Sequence, residues 1–199
     1  TDDLVAHYSA RAKGGVGLIV TEVVTVEPTY VYLPGDMSIY DDSFIPGWKK
    51  LVDGVHQYGT KILAQLFHPA YMAFPVPGTP QLIAPSCVGP YYAKSAPRPA
   101  TIEELHTIVD QFGQAAHRVQ VAGGDGVEIQ CAHAHGLLGG FLTPLYNKRT
   151  DEYGGNIDGR LRLCLEVIAS VRKYCGDDFI IDVRISGDEY SEGGLTLND

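Results

Sequence analysis

The segment Gly124-Asp-Gly-Val-Glu-Ile-Gln-Cys-Ala-His-Ala-His-Gly136 decides the fold class of this 199-residue chain. Its alternating apolar residues, with turn residues on both sides, predict a short buried strand. Three polar side chains follow at the carboxyl end of that strand: Gln130, His133 and His135. Parallel α/β proteins carry their chemistry at this end of the strands. The segment therefore predicts both a parallel sheet and the position of its site.

Strands and helices alternate on both sides of this segment. Mostly apolar runs predict buried strands at 16–22, 61–68, 126–131 and 179–185. Apolar residues at helical spacing predict helices that begin near Leu4, at Pro46, at the capping box Thr101-Ile-Glu-Glu104 and near Ile157. The last helix is predicted to face inward with Leu161, Cys164, Leu165, Ile168 and Val171. Such crossovers require a parallel sheet.

Two architectures fit that alternation, a β/α barrel and an open doubly wound sheet. The barrel is favoured because every strand ends in polar residues and no G-x-G-x-x-G turn follows any of them. A whole TIM (β/α)8 barrel has ~250 residues. The sequence therefore predicts a single α/β domain over 1–199, an incomplete barrel of about four β/α units that lacks the first and last strands. Residues 193–199 resemble the start of a further helix.

Residues 69–100 interrupt this pattern. Eight of the twelve prolines lie there, together with the aromatic residues Tyr71, Phe74, Tyr91 and Tyr92. A long loop without helical or alternating periodicity is typical of a lid or a binding loop. Its aromatic residues favour an ordered loop.

Composition excludes several classes of partner. The net charge of −9, with no basic run, argues against nucleic acid and against an anionic membrane surface. No apolar stretch approaches membrane-spanning length, and the first residues lack the basic start of a signal peptide. Four cysteines are scattered without a C-x-x-C pair: Cys87, Cys131, Cys164 and Cys175. They favour a reducing cytoplasm over a disulfide framework or a zinc site.

Polar residues at strand ends indicate a ligand. The amide of Gln65 and the permanent cation of Arg184 lie near the carboxyl ends of two predicted strands. Together they can hold a heteroaromatic ring that bears carbonyls and ring nitrogens. Glu128 is interpreted as a structural residue paired with a cation such as Arg184.

Three histidines, His68, His133 and His135, lie at strand exits. No carboxylate or cysteine completes a ligand set at familiar spacing, so no metal site is expected. A hydrogen-bond donor to a carbonyl or phenolate oxygen is the better interpretation.

The run Phe141-Leu-Thr-Pro-Leu-Tyr-Asn-Lys-Arg-Thr-Asp-Glu-Tyr-Gly-Gly155 closely resembles the Old Yellow Enzyme family of NADH:flavin oxidoreductases, and is nearest to its branch of 2,4-dienoyl-CoA and enoate reductases. Further matches follow in the same order at 14–22, 65–68, 84–86 and 184–190, so the likeness covers essentially the whole chain. The resemblance implies an FMN-binding β/α barrel. Its members pass a hydride from NAD(P)H, through the flavin, to a small α,β-unsaturated carbonyl or enoyl compound.

The resemblance also implies residue roles. Gln65 would hydrogen-bond the pyrimidine edge of the flavin, Arg184 would stabilise negative charge near N1 and O2, and Val23, just past its strand, would line the ring. The family pair that grips the substrate carbonyl is usually His-x-x-His or His-x-x-Asn. It falls on Gln130 and His133 if the strand stays in register, and on Ala132 and His135 if the alignment runs back from Phe141. We prefer the first, because the strand reads without a gap from Gly124.

Three departures from the family pattern affect the substrate site. Leu137 stands where the family often has a tyrosine that protonates the substrate. Ala70-Tyr71 replaces the usual Gly-Arg, and Gln130 replaces the first histidine of the pair. Flavin binding is therefore better supported than any particular alkene substrate or proton donor.

The resemblance implies further parts that this sequence does not contain. Flavin contacts near N5 and the phosphate cradle belong to strands absent here, so we expect tight FMN binding from a longer parent chain. Any 4Fe–4S cluster or FAD of the larger branch would also lie outside these residues.

Two other functions stay open. An amine dehydrogenase of the trimethylamine type shares the N-K-R-T-D motif and a histidine at the position of His133. A flavin-binding homologue that has lost catalysis would also fit the missing tyrosine and the missing first histidine. The substrate, the choice between NADH and NADPH, and assembly as a homo-oligomer are equally open.

Overall fold

The computed structural model describes residues 2–74, 78, 80–88 and 96–199. Its helices are α1 (Asp2–Lys13), α2 (Ile45–His56), α3 (Ile102–Val121), α4 (Gly136–Leu142) and α5 (Ile157–Cys175). Its strands are β1 (Leu18–Thr25), β2 (Met37–Ser38), β3 (Lys61–Phe67), β4 (Ile83–Ala84), β5 (Arg98–Pro99), β6 (Gly126–Gln130) and β7 (Ile180–Arg184). The predicted alternation of strands and helices is thus confirmed.

Five strands form one parallel sheet in the order β2-β1-β3-β6-β7. The two-residue strand β2 was not predicted, and it pairs only with the end of β1. The register between β1 and β3 is irregular between Val20 and Val23, and β1 runs on to Thr25. Val23 therefore lies within the strand, and its predicted position past the strand end is wrong.

The apolar core lies between this sheet and the helices. Alternate strand residues such as Val24, Leu66 and Ile129 are fully buried there together with Val52 of α2 and Phe112 of α3. Thr101 caps the 20-residue helix α3: its hydroxyl accepts from the amide of Glu104, and the Glu104 carboxylate accepts from the amide of Thr101. The capping box read from the sequence is thus confirmed.

The predicted inward face of α5 is confirmed except at Leu165, since Cys164 and Val171 are buried and Leu161 and Ile168 pack partly buried against the core. Leu165 is 56% exposed, whereas Leu163 and Val167 are buried beside Cys164 and Val171. Leucines at 161, 163 and 165 left the helical phase ambiguous, and packing against α3 decides it. Gly176, with φ +79°, ends the helix as expected.

Residues 193–199 form turns, so the expected start of a further helix is not observed. The Asp199 carboxylate accepts from the amide of Thr196, and the amide of Asp199 donates to the Thr196 carbonyl. These contacts close a tight turn at this position.

The proline-rich segment 69–100 contains short elements rather than one structureless loop. A 3-10 turn spans Ala70–Met72, and β4 pairs in parallel with β5. The aromatic residues Tyr91 and Tyr92, on which the prediction of an ordered loop partly rested, lie outside the described residues.

Two of the four cysteines meet in the core. The sulfur atoms of Cys131, after β6, and Cys164, on α5, lie 3.1 Å apart, and both residues are buried free thiols. Thirty-three residues separate them in the chain, so spacing alone gave no sign of this contact.

Candidate active site

One face of the sheet collects the polar residues that the sequence singled out. The strand register aligns Val23, Gln65, Glu128 and Asp182 in one layer. Two residues further along each strand, a second layer contains Thr25, Phe67, Gln130 and Arg184. Since side chains alternate along a strand, both layers project to the same side, away from the helices. We call this side the inner face.

Gln65 and Glu128 contact each other in the first layer. The Gln65 amide nitrogen donates a hydrogen bond to the Glu128 carboxylate, and both side chains are buried. Burial raises the pKa of Glu128, and nearby Asp182 raises it further, whereas Gln65 and Arg184 lower it. Glu128 is thus hydrogen-bonded directly to Gln65, whereas Arg184 acts on it through its charge, so the expected direct pairing of Glu128 with Arg184 is corrected.

The loop after β6 turns through two left-handed residues. His133 has φ +67° and Ala134 has φ +48°, both unusual for residues other than glycine. The side-chain oxygen of Gln130 accepts from the amide of Ala132 at 3.0 Å, and the amide of His133 donates to the Ser186 hydroxyl at 2.7 Å. The buried carboxamide oxygen of Gln130 therefore serves the loop backbone.

His135 is the histidine that reaches the inner face. Its ring centroid lies 5.2 Å from that of Phe67, in the second layer, and 5.3 Å from that of Tyr32, in the loop after β1. Burial lowers the pKa of His135, and His133 lowers it further. At neutral pH the imidazole is therefore neutral and can donate one hydrogen bond. By contrast, His133 is exposed.

His68 lies apart from the other two histidines at strand exits. It is 2% exposed, its ring packs near Tyr30, and Nε2 lies 3.9 Å from a carboxylate oxygen of Glu27. Within the described residues neither ring nitrogen has a hydrogen-bond partner. Burial lowers its pKa to about 3. The sequence grouped His68 with His133 and His135, but the structure directs its ring to this separate buried pocket.

Helix α4 and Tyr71 pack under the loop after β6, and the sequence predicted neither contact. A Cβ at Gly139 would lie 2.9 Å from the Ala132 carbonyl oxygen, and one at Gly140 would lie 2.8 Å from the Tyr71 hydroxyl. The Tyr71 hydroxyl donates to the carbonyl of Ala134 at 2.5 Å. The sequence did point to Tyr71 in one respect, because this residue stands where the resembling family usually has an arginine. Tyr32 and Ser186 carried no such signal.

The described part of the chain contains neither a cluster of metal ligands nor a helix that could span a membrane. Among residues 2–74, 78, 80–88 and 96–199, no three His, Cys, Asp or Glu side chains form a cluster that could bind a metal ion. In the same part of the chain, no helix is both long and apolar enough to span a membrane.

The carboxyl edge of this parallel β/α sheet carries an amide, a guanidinium and a neutral imidazole, and this is the edge at which β/α barrels place their sites. The sequence matches the NADH:flavin oxidoreductase / NADH oxidase family over residues 1–199, and the chain belongs to that family. The cofactor of the family is FMN, and its electron donor is NAD(P)H.

Individual relatives agree with this assignment. An NADH oxidase from Thermoanaerobacter brockii is 38% identical over 198 residues, which are 98% of this chain and 30% of that protein. Old Yellow Enzyme from Pichia sp. AKU4542 superposes with a TM-score of 0.89 at 33% identity, over 100% of this chain and 54% of that one. The predicted partial TIM barrel and the resemblance to this family are thereby confirmed.

A third similar protein is named as an amine dehydrogenase rather than as an NADH oxidase or an Old Yellow Enzyme. Histamine dehydrogenase from Rhizobium sp. 4-9 superposes with a TM-score of 0.90 at 27% identity, over 98% of this chain and 29% of that one. The chain thus spans between about a third and about half of the length of these three proteins.

The inner face has groups that suit the ring system of FMN. The amide of Gln65 is held in place by Glu128, and the guanidinium of Arg184 is exposed on the same face. Val23 is partly buried beside Gln65 and offers an apolar surface. An amide, a cation and an apolar wall suit a flat ring with carbonyl oxygens and ring nitrogens. The residues present therefore fit the cofactor of the family.

Proposed function

We propose that the complete natural polypeptide containing this chain is an FMN-dependent ene reductase of the 2,4-dienoyl-CoA and enoate reductase branch. The bound FMN supplies hydride transfer from NAD(P)H to a small α,β-unsaturated carbonyl or enoyl compound. The observation that supports this proposal is the shared inner face, on which Gln65 and Arg184 lie in successive layers and His135 packs against Phe67.

Gln65, Arg184 and Val23 bind the cofactor in this proposal. The buried Gln65 amide hydrogen-bonds the pyrimidine edge, and its contact with Glu128 fixes the orientation of that amide. The permanent charge of Arg184 stabilises negative charge on the reduced ring. Val23 contacts the ring through its apolar side chain.

His135 is the main substrate-binding residue in this proposal. A neutral imidazole donates a hydrogen bond to the substrate carbonyl, and that bond strengthens as negative charge develops on the oxygen. Gln130 and His133 belong to the same catalytic region in this proposal: Gln130, the last residue of β6, supports the backbone at Ala132, and His133 lies at the exposed rim of the loop that follows. Leu137 has no proton to donate, so protonation of the substrate requires a different source.

The proposal extends to the organisation and the location of the protein. Residues 1–199 are one FMN-binding domain, and the substrate is a small molecule rather than a nucleic acid or a membrane. Four free cysteines suit the reducing cytoplasm.

An amine dehydrogenase is the second candidate. It is favoured by the TM-score of 0.90 with histamine dehydrogenase. Such an enzyme oxidises its substrate, so electrons enter the flavin from an amine rather than from NAD(P)H.

Two anaerobic assays of the FMN-loaded polypeptide distinguish these functions. The first mixes NADH or NADPH with 2-cyclohexenone and follows consumption of the enone. The second mixes trimethylamine or histamine with an artificial electron acceptor and follows its reduction. The reductase proposal requires turnover in the first assay. Turnover only in the second assay would replace it with the amine dehydrogenase.

A further inference from the structure

The turn at His133 and Ala134 stores backbone strain beside the proposed substrate site. Both residues are left-handed, with φ +67° and +48°, and neither is glycine. A residue with a Cβ seldom adopts the left-handed conformation, because the Cβ comes too close to the following carbonyl oxygen. Two such residues in succession persist only where the surroundings impose the conformation.

Two side chains from other loops hold this turn. The Tyr71 hydroxyl donates to the carbonyl of Ala134 at 2.5 Å, and this carbonyl belongs to the peptide that joins Ala134 to His135. The Ser186 hydroxyl accepts from the amide of His133 at 2.7 Å, and this amide belongs to the peptide that precedes His133. The peptide planes on both sides of the strained pair are therefore fixed.

The side chains that hold the turn come from the loops of the two neighbouring strands. Tyr71 lies in the 3-10 turn after β3, and Ser186 follows β7. The Tyr71 ring is 2% exposed and packs so closely on Gly140 of α4 that an added Cβ there would lie 2.8 Å from the hydroxyl. The hydroxyl is therefore held in position by its own packing.

We propose that Tyr71 and Ser186 are positioning residues that hold His135 between Phe67 and Tyr32, where it binds a carbonyl or phenolate oxygen. The identity of the bound oxygen rests on the proposed function, whereas the positioning does not. Rotation of the Ala134–His135 peptide would swing the imidazole away from Phe67, because His135 is the next residue in the chain. Tyr71 thus acts on the ligand through His135 without touching it.

The first test needs no cofactor. Histidine labelled with ¹⁵N reports the ring titration of His135 in the wild type, Tyr71→Phe and Ser186→Ala. Tyr153→Phe is the matched control, because it removes a buried tyrosine hydroxyl that contacts Glu166 of α5. Loss of either hydroxyl at the turn releases the ring from its partly buried position. The His135 titration should then move toward that of a free histidine in Tyr71→Phe and Ser186→Ala but stay unchanged in Tyr153→Phe.

The second test measures ligand binding to the FMN-loaded polypeptide, with 4-hydroxybenzaldehyde as the phenolate probe. Tyr71→Phe should weaken binding about tenfold relative to Tyr153→Phe, as expected for misalignment of one hydrogen bond. A His135 titration that is identical in Tyr71→Phe, Ser186→Ala and the wild type would overturn the positioning role. Failure of the wild type to bind the probe, with the titration shifted as expected, would instead contradict the proposed function.

Discussion

The side-chain amide of Gln65 donates a hydrogen bond to the carboxylate of Glu128, and the two residues lie opposite each other in the register of β3 and β6. The hydrogen bond fixes the orientation of the Gln65 side-chain amide, which could otherwise rotate, on the inner face. A ligand that approaches this face meets a preorganised group, which reduces the entropy cost of binding.

Replacement of Gln65 by Leu should weaken FMN binding by about tenfold, because a hydrogen bond to the cofactor is lost. Fluorescence titration of the apoprotein with FMN measures the effect. Gln120→Leu is the control, since Gln120 of α3 donates a hydrogen bond to the backbone carbonyl of Cys175 at the end of α5. Equal FMN affinity in Gln65→Leu and Gln120→Leu would assign Gln65 only a structural contact with Glu128.

Arg184→Met should lower the reduction potential of the bound flavin and weaken its binding, because a fixed positive charge near the reduced ring is removed. Dye-linked anaerobic titration measures the potential. Arg162→Met on the exposed side of α5 removes an equal charge away from the inner face. If Arg184→Met leaves both potential and affinity unchanged, Arg184 belongs only to a polar layer of the barrel.

The sequence predicted the sheet because each strand is a short apolar run between turn residues, and it predicted the helices because their apolar residues recur at helical spacing. It missed α4 because Gly136, Gly139 and Gly140 have poor helix propensity. Tertiary packing overrides that propensity: a Cβ at Gly136 would overlap the Phe67 ring, and one at Gly140 would press on Tyr71.

The sequence also identified Gln65 and Arg184 from their places near strand ends. For the substrate-binding pair it favoured Gln130 and His133 over Ala132 and His135, because the strand is continuous from Gly124. In the structure His133 is exposed and the ring that packs on Phe67 is that of His135. The left-handed turn resolves which ring approaches Phe67, and that turn depends on Tyr71 and Ser186, which are distant in sequence.

Folding stability should fall as the pH drops below about 6.5, the ordinary pKa of histidine. Burial lowers the pKa of His68 to about 3 in the folded state, so between these values the unfolded chain binds a proton that the folded chain does not. The loss should approach about 1.4 kcal/mol per pH unit. Burial raises the pKa of neighbouring Glu27, which opposes the trend at the acidic end of this range.

Urea unfolding at several pH values measures that dependence. His68→Leu should reduce its slope above pH ~5, and His106→Leu, at an exposed residue on α3, is the control. A pH dependence that is equal in His68→Leu and the wild type would show that His68 is not buried in its neutral form.

The four cysteines should react with iodoacetamide at different rates in the native protein. Cys87 is exposed and should react first. Burial raises the pKa of Cys175 to about 11 and should slow its reaction. The hydrogen bond with Cys164 raises the pKa of Cys131, and burial raises it further. Because Cys131 and Cys164 are both buried, both should be labelled only after unfolding. Mass spectrometry after timed alkylation checks this order, and native labelling of Cys131 at the rate of Cys87 would contradict the packing of α5 on β6.

The most direct measurement is the visible absorption spectrum of the complete natural polypeptide, recorded before and after anaerobic addition of NADH or NADPH. The proposed reductase should show flavin bands, and the reduced nicotinamide should bleach them. A colourless protein that takes up no added FMN would contradict the account. A flavin spectrum that neither donor changes would contradict the reductase proposal and favour the amine dehydrogenase.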